Sequence, residues 1–173
     1  MITPRRAKER HHDQSRRHEE WLTFAPQERV DPLADGFGSL EILTEGCLAP
    51  GASFPRHSHH DVEIVTYVCE GALAYEDSMG RSGVIYAGEF QRMNAEDGIR
   101  HSEMNASRTD GAHVFRIGLR SWEAGLDSGH EQKRFSVAER RGGLCVIASS
   151  DARRGSLRIH QDALMYSLSL IHI

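Results

Sequence analysis

The chain has 173 residues, of which 39% are hydrophobic and 27% charged, which suits one ordinary domain plus a short remainder and excludes a disordered or fibrous protein. Lys and Arg number 21 against 25 Asp and Glu, a formal charge of -4 that does not build the basic surface direct nucleic-acid binding requires. No apolar run approaches the roughly 18 residues of a membrane span, and 16 Gly against 5 Pro, set between short apolar runs, favour an all-β fold with tight turns.

The first twenty residues, dense in Arg, His and Glu, read as a polar N-terminal arm (1–20), solvated or at a sheet edge, with the solvated reading preferred. They lack the apolar segment of a secretory signal and are too acidic for a transit peptide, so a cytoplasmic protein is expected. The three cysteines, Cys47, Cys69 and Cys145, show no CxxC pattern and are expected to be reduced core residues.

From residue 36 the chain turns to short runs rich in β-branched and aromatic residues. They are 39–44, 62–69, 72–75, 83–86 and 113–120, each bounded by Gly, Asp, Asn or Pro. This spacing predicts a sandwich or small barrel with no helix between 36 and 120. Residues 121–143 are polar and irregular, after which 144–148, 156–160 and 163–171 resume strand character, as at the start of a second sheet.

Two segments carry chemistry, Gly51-Ala-Ser-Phe-Pro-Arg-His57-Ser-His59-His60-Asp-Val-Glu63 and Gly98-Ile-Arg-His101-Ser-Glu103-Met-Asn105. In an extended chain residues two apart share a face, so His57 with His59, and His101 with Glu103, can converge from two strands. Three imidazoles and a carboxylate suit a divalent first-row metal, and the absence of thiolates argues against structural zinc. Chance alone supplies roughly 0.7 His-x-His pairs in this composition, so the weight lies in the strand-edge context. The alternative is that His57, His59 and His60 form a solvated loop and His101 is a surface histidine.

The same segments resemble the two cupin motifs, and specifically those of the bacterial pirin family. Gly51, His57, His59, Glu63 and Gly71 follow the first motif, with one extra residue before the last glycine; Gly88, Gly98, His101 and Asn105 follow the second, with two extra residues and no proline. EIVTYVCEGALAYEDSMGRSGVI, AGEFQRMNAEDGIRHSEMN and SSDARRGSLRIHQDALMY extend the likeness across residues 21–166. The family commonly reads His-Pro-His-Arg-Gly at the first pair, whereas here Ser58 and His60-Asp61 stand there, with His60 a competing ligand.

The resemblance implies an antiparallel cupin barrel over residues 21–125, followed by a linker and partial second cupin barrel over 126–173. It implies Fe(II) held by His57, His59, His101 and Glu103, with Cu, Mn, Ni or Zn as alternatives. It also implies a quercetin 2,3-dioxygenase-type reaction on a flavonol and dioxygen, with Glu103 as base and Glu63, a neighbouring carboxylate, in reserve. The alternative implied function is an iron-dependent redox-sensing regulator that binds a protein partner. Strand edges at 144–171 are expected to favour self-association.

Overall fold

The computed structural model describes residues 5–24, 35–54, 57–59, 61–94, 98–122 and 129–169, with the side chains of Ala7, His57, Ser58, His59 and Ile99 outside the description. Its strands are β1 (His11–Gln14), β2 (His18–Leu22), β3 (Leu40–Leu48), β4 (His57–His59), β5 (Val62–Glu70), β6 (Ala72–Asp77) and β7 (Ser82–Tyr86). They continue as β8 (Glu89–Asn94), β9 (Ile99–Asn105), β10 (Ala112–Arg120), β11 (His130–Arg134), β12 (Cys145–Ser149), β13 (Leu157–Arg158) and β14 (Leu164–Ser167).

These strands form a seven-stranded sheet in the order β1-β2-β3-β10-β5-β8-β11, a four-stranded sheet in the order β4-β9-β6-β7, and a three-stranded sheet in the order β13-β12-β14. All pairs are antiparallel except β12 with β13. The fold is the all-β one expected.

The central strand β5 of the seven-stranded sheet is buried on both faces, which is why it reads as a continuous apolar run rather than an alternating one. Val68 on one face packs with Leu48, Phe54, Leu73, Ile85 and Val114, against the four-stranded sheet. Val62 and Ile64, of the same parity, pack with Met93. Val65, on the opposite face, packs with Phe90, Leu119, Phe135, Ile147, Leu157 and Ile159, against the three-stranded sheet. Complete burial of a side chain such as Val65 is worth about 1.5–3 kcal/mol. This parity decides which cavity each polar residue of the sheet can reach.

Asn105, the last motif residue, is fully buried and staples loops to the barrel: its Nδ2 donates to the carbonyls of Leu48, Ala49 and Asp110, and its Oδ1 accepts from Ser107 N.

Three expectations differ from the structure. The N-terminal segment is an edge hairpin, not a solvated arm: β1 pairs with β2 and β2 with β3. Its charges find partners, Arg10 on Glu45 and Glu20 on Arg116, while Trp21 stacks on His12. The polar stretch 121–143 contains β11, anchored by Gln132 Nε2 donating to Val84 O and Glu89, and one turn of helix, α1 (Val137–Arg140), closed by a Ser136/Glu139 capping box. The cysteines are free as expected but only part-buried, and burial pushes the Cys69 thiol up to about 11.

Candidate metal centre

Strand β9 lies between β4 and β6, and its register organises the site. His57 stands directly opposite His101, and His59 opposite Ile99; on the other side His101 is opposite Asp77 and Glu103 opposite Tyr75. Two motifs about forty residues apart thus meet as neighbouring strands. The side chains of His57 and His59 lie outside the description, and His60 lies outside the described residues altogether.

His101 and Glu103 are both buried on one face of β9, with His101 Nε2 3.9 Å from Glu103 Oε2. That separation is within the span that two metal–ligand bonds of about 2.0–2.2 Å can bridge. An imidazole and a carboxylate, both withdrawn from water, are the donor types a divalent first-row ion takes. The residues present therefore fit the implied metal. Among the described residues no third such side chain joins them.

Glu103 is not an isolated buried charge. Arg116, from β10, donates from Nε to Glu103 Oε2 at 2.8 Å, and its Nη2 lies 2.6 Å from the same oxygen. Its Nη1 donates to Glu20 Oε1 at 3.0 Å, and the guanidinium carbon sits 3.6 Å from the centroid of the Phe54 ring. The guanidinium supplies the counter-charge that a buried carboxylate requires. A charged residue in the middle of the run His-Val-Phe-Arg116-Ile-Gly-Leu was the available sequence signal, since a buried arginine demands an acidic partner.

Glu63, expected beside the metal ligands, is brought elsewhere. Fully buried on the Val65 parity of β5, it accepts from Arg92 Nη1 at 3.3 Å, from His160 N at 2.5 Å, and pairs with His160 Nδ1 at 2.8 Å. Its carboxylate ties the seven-stranded sheet to the segment ahead of β14. His113, at the start of β10, lies part-exposed and pairs with Glu45 at 3.0 Å.

Asp77, opposite His101, accepts from the backbone N–H groups of Met79 and Arg81 and from Arg81 Nε at 2.7 Å. Burial alone would raise its carboxyl, but the Arg81 contacts outweigh this and hold it below its ordinary value. Burial depresses the His130 imidazole, with Arg81 and Arg92 adding to the effect and Asp77 opposing it.

Comparison with known proteins extends what the register suggests. The pirin family model matches residues 5–119. Quercetin 2,3-dioxygenase of Escherichia coli (strain K12) is 40% identical over 171 residues, covering 99% of this chain and 73% of that protein. The crystal structure of the bacterial pirin YhhW from Escherichia coli in complex with nickel(II) superposes with a TM-score of 0.84 at 40% identity, over 94% of this chain and 69% of that one. A quercetin 2,3-dioxygenase structure from Acinetobacter baumannii shares the fold, with a TM-score of 0.60 at 18% identity over 87% of this chain and 57% of that one. With a family model spanning both motif strands and the Arg116 strand β10, the chain belongs to the pirin family.

Proposed function

We propose that this chain binds one divalent first-row metal, Fe(II) by preference, through His57, His59, His101 and Glu103, and oxidatively cleaves a flavonol such as quercetin with dioxygen. The observation that carries the reading is the register of β4 on β9: it sets His57 against His101, one strand position from the buried His101–Glu103 pair. The dioxygenase name and the nickel complex of the Escherichia coli relative support it. A bound metal would supply Lewis acidity, lowering the pKa of the flavonol 3-hydroxyl.

The protein's own part is to hold donors and move a proton. Arg116 fixes Glu103 through Oε2. Glu103 is the carboxylate adjacent to the site and takes the hydroxyl proton. Glu63 is committed to Arg92 and His160, so it stays outside this set. The buried Phe54 ring packs on the Arg116 guanidinium and shields this ion pair from water.

Metal analysis of the purified chain, then anaerobic titration with quercetin followed through its absorption band, tests the reading. Bound metal and a shifted band are expected, and Glu103→Ala should weaken metal retention and abolish turnover. Metal binding with no quercetin shift would favour a redox-sensing regulator instead. Retention of both metal and turnover in Glu103→Ala would overturn the site.

A further inference from the structure

Next to Glu103 the interior carries polar atoms that the metal reading does not use. Tyr75 stands directly opposite Glu103 on β6. Its ring lies across β7, where Gly83 makes room for it; a Cβ at Gly83 would fall 2.7 Å from the Tyr75 hydroxyl. From the other sheet, His130 brings its ring to 5.2 Å from that of Tyr75.

His130 is opposite Met93 in the β11–β8 register, and Gln91 lies two residues before Met93, so all three share the inward parity. Two of these side chains have unmet hydrogen-bonding capacity. Among the described residues His130 Nε2 is buried without a hydrogen-bond partner, and Gln91 Nε2 is buried with no well-formed hydrogen bond, its amide reaching only toward the Tyr75 hydroxyl. Buried polar atoms left unsatisfied each cost about 1–3 kcal/mol. Two of them, converging on one tyrosine beside a ligand pair, mark a place that takes a polar guest.

We propose that Gln91, His130 and Tyr75 form a recognition wall that reads the additional ring hydroxyls of a polyhydroxylated aromatic substrate, a specificity role that rests on the flavonol reading above. The guest's chemistry follows from the groups present. Gln91 Nε2 donates, and a neutral imidazole nitrogen accepts or donates according to tautomer, which together suit a phenolic hydroxyl able to do both. The nearby cations are taken, Arg81 by Asp77 and Arg92 by Glu63. A carboxylate or phosphate guest would therefore lack a counter-charge, whereas a neutral hydroxyl needs none.

The test compares two ligands in the Ni(II)-loaded protein under anaerobic conditions: quercetin, and 3-hydroxyflavone, which keeps the 3-hydroxyl and 4-carbonyl but lacks every other hydroxyl. Wild type should bind quercetin at least about tenfold more tightly, as expected of one to two well-placed hydrogen bonds. Gln91→Leu and His130→Phe should each lose most of that preference, with 3-hydroxyflavone affinity and metal content within about twofold of wild type. Equal weakening of both ligands would assign these residues to packing, and an unchanged preference would remove them from recognition; either result overturns the wall while leaving the metal reading intact. No band shift with either ligand in metal-loaded wild type would overturn the flavonol reading and the wall together.

Discussion

Arg116 stands between two carboxylates and holds both, donating from Nε to Glu103 on β9 and from Nη1 to Glu20 on β2. One guanidinium thereby links the edge hairpin to the candidate metal centre. Removing one member of a buried ion pair leaves an uncompensated charge and costs about 3–5 kcal/mol. Arg116→Met should therefore destabilise the metal-free protein by about that amount in urea unfolding. Arg116→Lys, which keeps the charge but not the guanidinium fork, should fall between. The double variant Glu103→Gln/Arg116→Met strands no buried carboxylate, since Glu20 is part-exposed to water, and should recover much of the loss. A double variant no more stable than Arg116→Met would show that the cost lies in packing on Phe54.

Glu63 yields a separate expectation, because its parity on β5 directs it away from the candidate metal centre. Glu63→Gln preserves shape but removes the charge that Arg92 and His160 share. Stability should fall by about 3 kcal/mol, and hydrogen exchange should rise first around His160 and β14. Turnover per bound metal should stay within about twofold. A loss of turnover much larger than this, with metal retained, would return Glu63 to the chemistry.

How much of this was legible in the sequence depends on what holds each element. β5 and β10 were readable because β-branched and aromatic residues dominate them, and burial alone fixes such strands. The meeting of the two histidine motifs was readable from their spacing and strand-edge setting. β11, with the sequence HEQKR, was not, since its place depends on pairing with β8 and on Gln132 reaching Val84, contacts that leave no apolar trace. β1 and β2 were missed for the same reason: Arg10 and Glu20 are partnered by residues on other strands. The face of Glu63 was hidden by the burial of β5 on both sides, since an uninterrupted apolar run carries no parity.

Gly46 illustrates a constraint that acts at a distance. A Cβ there would sit 2.6 Å from Cζ of Phe54, the ring on which the Arg116 guanidinium rests. Phe54 is buried and has little freedom to retreat. Gly46→Ala should cost about 1–3 kcal/mol through overpacking, read as a lower urea midpoint. Adding Phe54→Leu should relieve part of it. Failure of the second substitution to help would place the strain in the β3 backbone instead.

Acid should weaken the fold in two stages with separate causes. His130 is held below its unfolded value of 6.5 by burial first, then by Arg81 and Arg92. Below about pH 6.5 the unfolded chain takes a proton at this position that the folded chain resists, so stability is lost as pH falls toward the folded pKa. The slope from one such group is at most about 1.4 kcal/mol per pH unit, reduced here because solvent screens a part-buried ring. The second stage belongs to carboxylates. Burial raises Glu45, Asp77 and Glu131, yet hydrogen bonds and charges from Arg10 and His113, from Arg81, and from Lys133 with the Arg158 backbone hold each below its ordinary value. Their contribution is present above the unfolded values of 4.5, 3.8 and 4.5 and disappears as pH falls through the folded ones. Urea midpoints of metal-free protein at pH 7.5, 5.5 and 4 should show wild type losing stability relative to His130→Gln between the first two, with both falling between the last two. Parallel curves across the upper interval would mean that His130 is as easily protonated in the folded protein as in the unfolded chain.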